Sequence, residues 1–162
     1  MNNNVAHEPQ TLISWHDVSG ALDECVVRCQ KTLDVFDQSL ASQGWESRTR
    51  CEALLVAMSE RNVRVRMLLV DDANMQYAMP RLMNLLKTQG HRLTVMVPEN
   101  PPQSTANYVV ADRQHILFRP NSVQSRGSLN WHDPYKSTTY LSTFEVLWQQ
   151  GERRIFPEAF GL

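Results

Sequence analysis

The sequence lacks the short motifs that mark common nucleotide-binding, hydrolytic and zinc-binding proteins. No Walker loop, GxGxxG fingerprint or GxSxG turn is present, and neither CxxC nor HExxH occurs. Cysteine is scarce, and its count of 3 is odd, which favours reduced thiols over a disulfide framework. The sequence therefore predicts no cofactor and no metal centre.

The chain also lacks a charge excess and a long apolar run. Its 162 residues carry 16 basic and 17 acidic side chains, whereas nucleic-acid binders usually show a basic excess, so nucleic acid is not favoured as a partner. No run of apolar residues is long enough to span a membrane, and "MNNNVAHEPQ" lacks the regions of a signal peptide. We expect a cytoplasmic protein with a flexible N-terminal tail over residues 1–16 and a single domain over residues 17–162.

Helical and strand periodicities alternate along the chain. Apolar steps of three and four predict helices in "SGALDECVVRCQ", "SRTRCEALLVAMSE", "DDANMQYAMPRLMNLLKTQG" (broken near Pro80) and "TTYLSTFEVLWQQG". Alternating or continuous apolar runs predict strands in "KTLDVFDQSL", "NVRVRMLLV", "HRLTVMV", "NYVVAD" and "HILFR", the last two joined as a hairpin. This order predicts an α/β fold with a mixed, mostly parallel sheet covered by helices.

Three features allow a chemical and a structural interpretation. Cys25, Cys29 and Cys51 lie on apolar helical stripes, so we interpret them as core residues rather than metal or redox groups. Asp71 and Asp72 follow the clearest strand, and we interpret them as a helix cap. The alternative for these two carboxylates is Mg²⁺ binding or phosphoryl transfer at the strand end.

A long polar loop, "PNSVQSRGSLNWHDPYKS", precedes the last helix. His132 and Lys136 flank Asp133 there, and a His–Asp pair is suited to acid–base chemistry, but adjacent side chains rarely face one another. Trp131 and Tyr135 are either interface anchors or aromatic rings that fold back onto the core. Both interpretations of this loop stay open.

The succession "KTLDVFDQSL", "NVRVRMLLVDD", "HRLTVMV", "NYVVAD" and "HILFR" resembles one half of the phospholipase D superfamily, over roughly residues 17–150. "PRLMNLLKTQGHRLTV" and "STFEVLW" also resemble segments of a group of uncharacterised bacterial proteins with this fold. Active superfamily members carry H-x-K-x-x-x-x-D followed by G-S-x-N, with a nucleophilic histidine and a phosphate-binding lysine. Two such motifs meet at one site, so the resemblance implies a phospholipase D-like half-domain that forms a homodimer.

The motif residues that carry the chemistry differ in this chain. If Asp112 takes the aspartate position, Thr105 stands at the histidine and Asn107 at the lysine. Residues 119–122 replace G-S-x-N, and the later "GSLN" at residues 127–130 lies too far along the chain. Threonine is no imidazole nucleophile without an adjacent base, and asparagine supplies no cation for a phosphoryl transition state. The resemblance therefore predicts a degenerate motif and a protein that is not an enzyme.

The predicted function is binding of an anionic, phosphate-containing ligand, or protein assembly. Arg113, Arg119 and Arg126 are the candidate ligand-binding residues, because guanidinium groups bind phosphate with two parallel hydrogen bonds. One alternative is a phosphodiesterase or nuclease with a relocated site at His132 and Lys136, with Asp112 as a further participant. Another is a protein–protein adaptor that uses the 121–136 loop.

Overall fold

The computed structural model describes residues 8–41, 43–73, 75–151 and 153–157. In chain order, this part of the chain forms β1 (Gln10–Leu12), α1 (Trp15–Arg28), β2 (Thr32–Asp37), α2 (Arg48–Glu60), β3 (Arg64–Leu69), α3 (Met75–Ala78), α4 (Pro80–Thr88), β4 (Leu93–Val97), β5 (Asn107–Ala111), β6 (His115–Arg119), β7 (Gly127–Asn130), α5 (Pro134–Gln150) and β8 (Arg153–Arg154). None of these helices is long and apolar enough to cross a membrane.

The strands form one mixed sheet in the order β1-β7-β6-β5-β2-β3-β4-β8. Only the β2–β3 and β3–β4 pairs are parallel, whereas the other five pairs are antiparallel. The α/β class is confirmed, but the prediction of a mostly parallel sheet is wrong. The β5–β6 and β6–β7 connections are too short for a crossover helix, so they allow only antiparallel neighbours.

The predicted boundaries miss three short strands. β1 lies inside the predicted tail over residues 1–16, pairs with β7, and buries Leu12 completely. Residues 1–7 of that tail lie outside the described residues. β7 lies inside the predicted polar loop, and β8 comes after the last helix. Strands of two to four residues are too short to show a period.

Helices cover both faces of the sheet. α1, α2 and α4 pack on the face that carries Val35, Met67 and Val109, while α5 packs on the opposite face against Phe36 and Leu68.

Two sequence-based predictions about the helices are confirmed. The third predicted helix is broken before Pro80, and the three cysteines are buried, free thiols in the first core. Burial raises the pKa of Cys25 to about 12.

A charged network lies beneath α5. The Arg66 guanidinium donates to Asp34 Oδ1 at 2.7 Å and to Glu145 Oε1 at 2.5 Å, and it lies 5.0 Å from the ring centre of Phe144. Asp34 is only 1% exposed, and this burial raises its pKa although Arg66 opposes the shift. The arginine therefore joins the buried carboxylate of the sheet to the helix that covers it.

We expect Arg66→Met to lower the free energy of unfolding by about 3–5 kcal/mol, because it leaves the Asp34 carboxylate buried without its cation. Urea unfolding at pH 7 measures this loss. Glu145→Gln is the matched control. The Glu145 side chain is one-third exposed, so water can solvate the site after the charge is removed, and we expect a smaller loss of stability. Equal stability of the Arg66 variant and the wild type would contradict this role.

Candidate functional site

Three neighbouring strands bring three buried polar residues into one row. Asp37 ends β2, Asn107 begins β5 and Arg119 ends β6, and each is 0% exposed. Asn107 and Arg119 are direct register partners. The β2–β5 register runs through Phe36 and Tyr108, which places Asp37 beside Asn107. Cross-strand partners point to the same face of a sheet, so these side chains meet where β2 and β6 end and β5 begins. We call Asp37, Asn107 and Arg119 the polar row.

The hydrogen bonds around Asp37 leave part of Asn107 and part of Gln43 without a partner in the described residues. Asp37 accepts hydrogen bonds from the Gln43 side-chain amide and from the Ser39 N–H. Asn107 Oδ1 accepts the Gln38 N–H at 3.2 Å, while the buried Asn107 Nδ2 and Gln43 Oε1 have no hydrogen-bond partner within the described residues. Burial raises the pKa of Asp37, and the Gln43 amide and the charge of Arg119 oppose this shift.

Arg119 is the cation of the row and is only partly satisfied. Its Nη1 donates to the carbonyls of Ser122 and Gln124 at 3.1 and 2.6 Å. Its buried Nε and Nη2 have no hydrogen-bond partner in the described part of the chain. The guanidinium carbon lies 5.0 Å from the ring centre of Trp15. Burial lowers the pKa of Arg119, and the Asp37 charge counteracts this.

Gly127 makes room for the Arg119 side chain. A Cβ at Gly127 would lie 2.7 Å from Arg119 Cγ and 2.4 Å from the Phe118 carbonyl oxygen. Both distances are far below a normal contact, and the carbonyl belongs to the backbone and cannot turn aside. The glycine of the "GSLN" segment therefore has a steric role beside the row.

A cavity of about 430 Å³ adjoins the row between the first turns of α1 and α2. Trp15 and Gln43 line this cavity, and both also contact the row, through Arg119 and Asp37 respectively. Trp15 is 43% exposed, whereas Arg119, which it contacts, is fully buried. None of the three row residues lines the cavity itself, so the cavity meets the row through Trp15 and Gln43.

The three positions that the resemblance assigns to the motif, Thr105, Asn107 and Asp112, lie at opposite ends of β5. Thr105 is exposed near the polar row, where its hydroxyl donates to the Pro120 carbonyl at 3.0 Å, and Asn107 belongs to the row. Asp112 follows the last residue of the strand. Five residue steps along a strand span about 17 Å, so the Asp112 carboxylate does not reach the other two positions.

Asp112 holds backbone instead. Its carboxylate accepts the N–H groups of Gln30 at 3.0 Å, Lys31 at 2.7 Å and Thr32 at 3.2 Å. Its own backbone has φ +52°, a conformation that aspartate tolerates in turns. One side chain thus fastens the β5–β6 hairpin to the connection between α1 and β2.

The candidate arginines are divided between the two ends of the sheet. Arg119 lies in the row, and the exposed Arg126 directly precedes β7 at the same end. Arg113 is exposed in the hairpin at the other end, where its charge helps to hold the pKa of Glu145 low, after the larger contribution of Arg66. Arg113 is therefore not brought together with Arg119.

The alternative catalytic residues have separate partners. The His132 N–H donates to His115 Nδ1 at 2.9 Å, and Lys136 Nζ lies 5.1 Å from the ring centre of Phe118. The Asp133 carboxylate accepts the Lys136 N–H as the cap of α5. His115 is buried, and burial together with the charge of His132 lowers its pKa.

The acidic pair after β3 also has a different role from the predicted one. The Asp72 carboxylate binds Arg153 through two hydrogen bonds of 2.6 and 2.8 Å, which lowers its pKa. The Asp71 carboxylate accepts the Ala73 N–H. The side chain of Asp72 therefore fastens β8 rather than capping α3.

Across the described ranges, no three His, Cys, Asp or Glu side chains converge on a position that could hold a metal ion.

Sequence reasoning missed Asp37, Gln43 and Trp15. The signal for Asp37 was available, because a carboxylate at the end of a buried strand is the same pattern that drew attention to Asp71 and Asp72. Trp15 and Gln43 carry no such signal. They reach the row only through the packing of α1 and of the segment after β2.

We expect Asp112→Ala to lower the free energy of unfolding by about 2–4 kcal/mol, because three N–H groups lose a charged acceptor. Chemical unfolding monitored by circular dichroism measures the loss. Arg113→Ala is the control, since it changes the neighbouring exposed turn residue and removes none of these bonds. An Asp112 variant as stable as the control would show that the clamp is dispensable.

Solved structures share this fold at low sequence identity. Nuc from Salmonella typhimurium, a phospholipase D family member, matches with a TM-score of 0.68 and 16% identity over 92% of this chain and 99% of its own. NucT from Helicobacter pylori matches with a TM-score of 0.65 and 10% identity, over 89% and 97% of the two chains. The likeness establishes a phospholipase D-like fold.

TrmBL2, an archaeal chromatin protein with a novel mode of DNA binding, matches with a TM-score of 0.66 and 11% identity. The match covers 93% of this chain, which spans only 56% of the TrmBL2 chain. No curated protein sequence matches this chain. Residues 15–155 match the model of the family DUF7931, which is described as a domain of unknown function, and the chain belongs to this family.

Proposed function

We propose that this protein is a non-catalytic phospholipase D-like domain that binds a phosphate-containing anion at the polar row. The observation that carries the proposal is Arg119, a fully buried guanidinium whose Nε and Nη2 have no hydrogen-bond partner in the described residues. A buried donor without an acceptor costs free energy, and an oxyanion accepts two parallel bonds from a guanidinium. A bound anion would remove that cost.

The surroundings of Arg119 favour the same ligand. Asn107 Nδ2 is a second buried donor without a partner beside the guanidinium. The adjoining cavity lies at the N-terminal ends of α1 and α2, where the helix dipoles favour negative charge. Together these groups give a small site with several donors, where Arg119 is the cation of the row and the cavity's Arg50 is paired with Asp23, and this suits one phosphate group better than an extended polyanion.

The lack of a nucleophile supports binding without catalysis. The Thr105 hydroxyl donates to a backbone carbonyl rather than to a base, and Asn107 is neutral. His115 and His132 lie at the hairpin end of β6, at the opposite end of that strand from Arg119. The alternative of a relocated phosphodiesterase site is not favoured, since Asp133 caps α5 and Lys136 lies against an aromatic ring.

The test is a thermal-shift titration with sodium phosphate at constant ionic strength. At a hundred times the dissociation constant the ligand adds about 2.7 kcal/mol, which raises Tm by roughly 5–10 °C at about 2–4 °C per kcal/mol. We expect Arg119→Met to abolish the shift and Arg119→Lys to weaken it, because lysine keeps the charge without the planar fork.

Arg126→Met is the matched control, since Arg126 is an exposed arginine at the same end of the sheet. Circular dichroism verifies that each variant folds. A phosphate shift that survives in a folded Arg119→Met variant, or the absence of any shift in the wild type, would overturn the proposal. Hydrolysis of a chromogenic phosphodiester by the wild type, with or without divalent metal, would contradict the non-catalytic part.

We also propose that the protein forms a homodimer, in which the second copy binds at the end of the sheet that carries the polar row. The exposed apolar residues Ile13 and Val123 are 71% and 78% exposed. Their segments lie together around Arg119, because Ser125 Oγ donates to the Ile13 carbonyl. The Trp131 part of the 121–136 loop is less suited to an adaptor role, since Trp131 packs against the core and lies 4.0 Å from the Arg28 guanidinium.

Light scattering coupled to size exclusion tests the assembly. We expect a dimer mass for the wild type and a monomer mass for Ile13→Glu with Val123→Glu, because both charges would be buried in the contact. Tyr135→Glu, which changes a residue that is 86% exposed elsewhere in the fold, should leave the dimer intact. A wild type that is monomeric at high micromolar concentration would rule the dimer out.

A further inference from the structure

The polar row holds two opposite charges that are not bonded to each other. The Asp37 carboxylate receives hydrogen bonds from Gln43 and from main-chain N–H groups, and Arg119 donates to main-chain carbonyls. On the elements packed around the row, Arg119 is the charged group that shifts the pKa of Asp37. Asp37 is in turn the charged group that shifts the pKa of Arg119. The row is therefore neutral before any ligand enters.

The unused hydrogen-bonding groups of the row and of Gln43, which donates to Asp37, are of both kinds. Arg119 Nε and Nη2 and Asn107 Nδ2 are buried donors without acceptors within the described residues. Gln43 Oε1 is a buried acceptor without a donor in the same part of the chain. Asp37 Oδ1 receives a long bond of 3.5 Å from the Ser39 N–H, while the Gln43 amide donates to Oδ2. A ligand that satisfies the row must accept hydrogen bonds on one side and donate on the other.

A fully ionised oxyanion cannot do both. Sulfate and phosphodiesters have acceptor oxygens only, so one of their oxygens would face the Asp37 carboxylate without a proton between them. Like charges in a buried site repel, and one of the groups must then take up a proton. An oxyanion with its own P–OH group instead donates that hydrogen to Asp37, forming a charge-assisted hydrogen bond.

We infer that Asp37 makes the site selective for oxyanions that carry a proton, namely inorganic hydrogenphosphate and the monoanion of a phosphomonoester, over sulfate and phosphodiesters. This inference rests on the proposed anion-binding function. Arg119 and Asn107 donate to the ionised oxygens, while Asp37 accepts the single P–OH hydrogen. Asp37 is a specificity-determining residue in this arrangement, and the ligand supplies the shared proton.

The pH dependence of sulfate binding follows from the same geometry. Sulfate keeps its charge near neutral pH, so it binds only with a proton taken up from solvent onto Asp37. Burial already raises the pKa of Asp37, so this uptake becomes easier as the pH falls. Binding coupled to one proton changes by up to about tenfold per pH unit above that pKa. Sulfate affinity therefore rises towards acid, whereas phosphate brings its own proton and needs none.

The experiment compares sodium phosphate, methyl phosphate, dimethyl phosphate and sodium sulfate by isothermal titration calorimetry between pH 5.5 and 8. For the wild type at pH 7 we expect phosphate to bind about tenfold or more tightly than sulfate or dimethyl phosphate, the effect of one hydrogen bond to a charged group. Methyl phosphate should gain affinity below its second pKa of about 6. If inorganic phosphate binds and methyl phosphate does not at pH 5.5, the ligand is the free ion; if both bind, the site also accepts phosphomonoesters. Either result supports the selectivity.

Asp37→Asn removes the carboxylate and keeps a side chain of the same shape. We expect sulfate binding to tighten in this variant, to lose its pH dependence and to approach phosphate binding. The variant should fold, because it replaces a buried group that ionises with difficulty. Asp23→Asn is the control, since Asp23 lines the adjoining cavity but lies outside the row, and it should keep the wild-type selectivity.

The outcomes separate the two proposals. If the wild type binds sulfate and phosphate equally at pH 7, or if Asp37→Asn leaves their ratio unchanged, the selectivity is refuted while anion binding stands. If neither anion binds to the wild type or to Asp37→Asn, the proposed function fails and the selectivity fails with it.

Discussion

The hydrogen bonds from three backbone N–H groups to the Asp112 carboxylate fix the part of the sheet on which the candidate site depends. They hold the turn between β5 and β6 against the start of β2, so β5 runs antiparallel to β2 in a defined register. A slip of one residue would turn every side chain of β5 to the other face. Asn107 and Arg119 meet Asp37 at the far end because Asp112 is fastened at the near end.

This arrangement explains why the three motif positions differ in character. In the resemblance to active phospholipase D proteins, Thr105 and Asn107 stand where a histidine and a lysine act on phosphate, and Asp112 keeps the motif's aspartate. The first two positions lie near the cavity end of β5, where chemistry would occur. Asp112 lies at the hairpin end, where its carboxylate is needed for backbone geometry. The aspartate is therefore explained by folding alone.

Much of the fold could be predicted from periodicity, but the site could not. β2, β3, β5 and β6 were predicted because their apolar patterns are long enough to read. The direction of β5 beside β2 is set by a turn and a clamp that join residues about 80 positions apart, which no local pattern records. The same holds for the Asp72–Arg153 pair. Arg119 was selected for the chemistry of its side chain, yet its partner Asp37 was not.

The neutral charge of the polar row bears on the kind of ligand it suits. Nucleic-acid binding depends on many cations that neutralise successive phosphates, whereas this row has a single guanidinium balanced by one carboxylate. Affinity must then come from matched hydrogen bonds in a buried space, where each unmatched group is costly. A small oxyanion offers both acceptor and donor oxygens within one tetrahedron. The resemblance implies that threonine and asparagine replace a catalytic histidine and lysine, and the proposed function is then recognition of one phosphate group rather than cleavage of a chain of them.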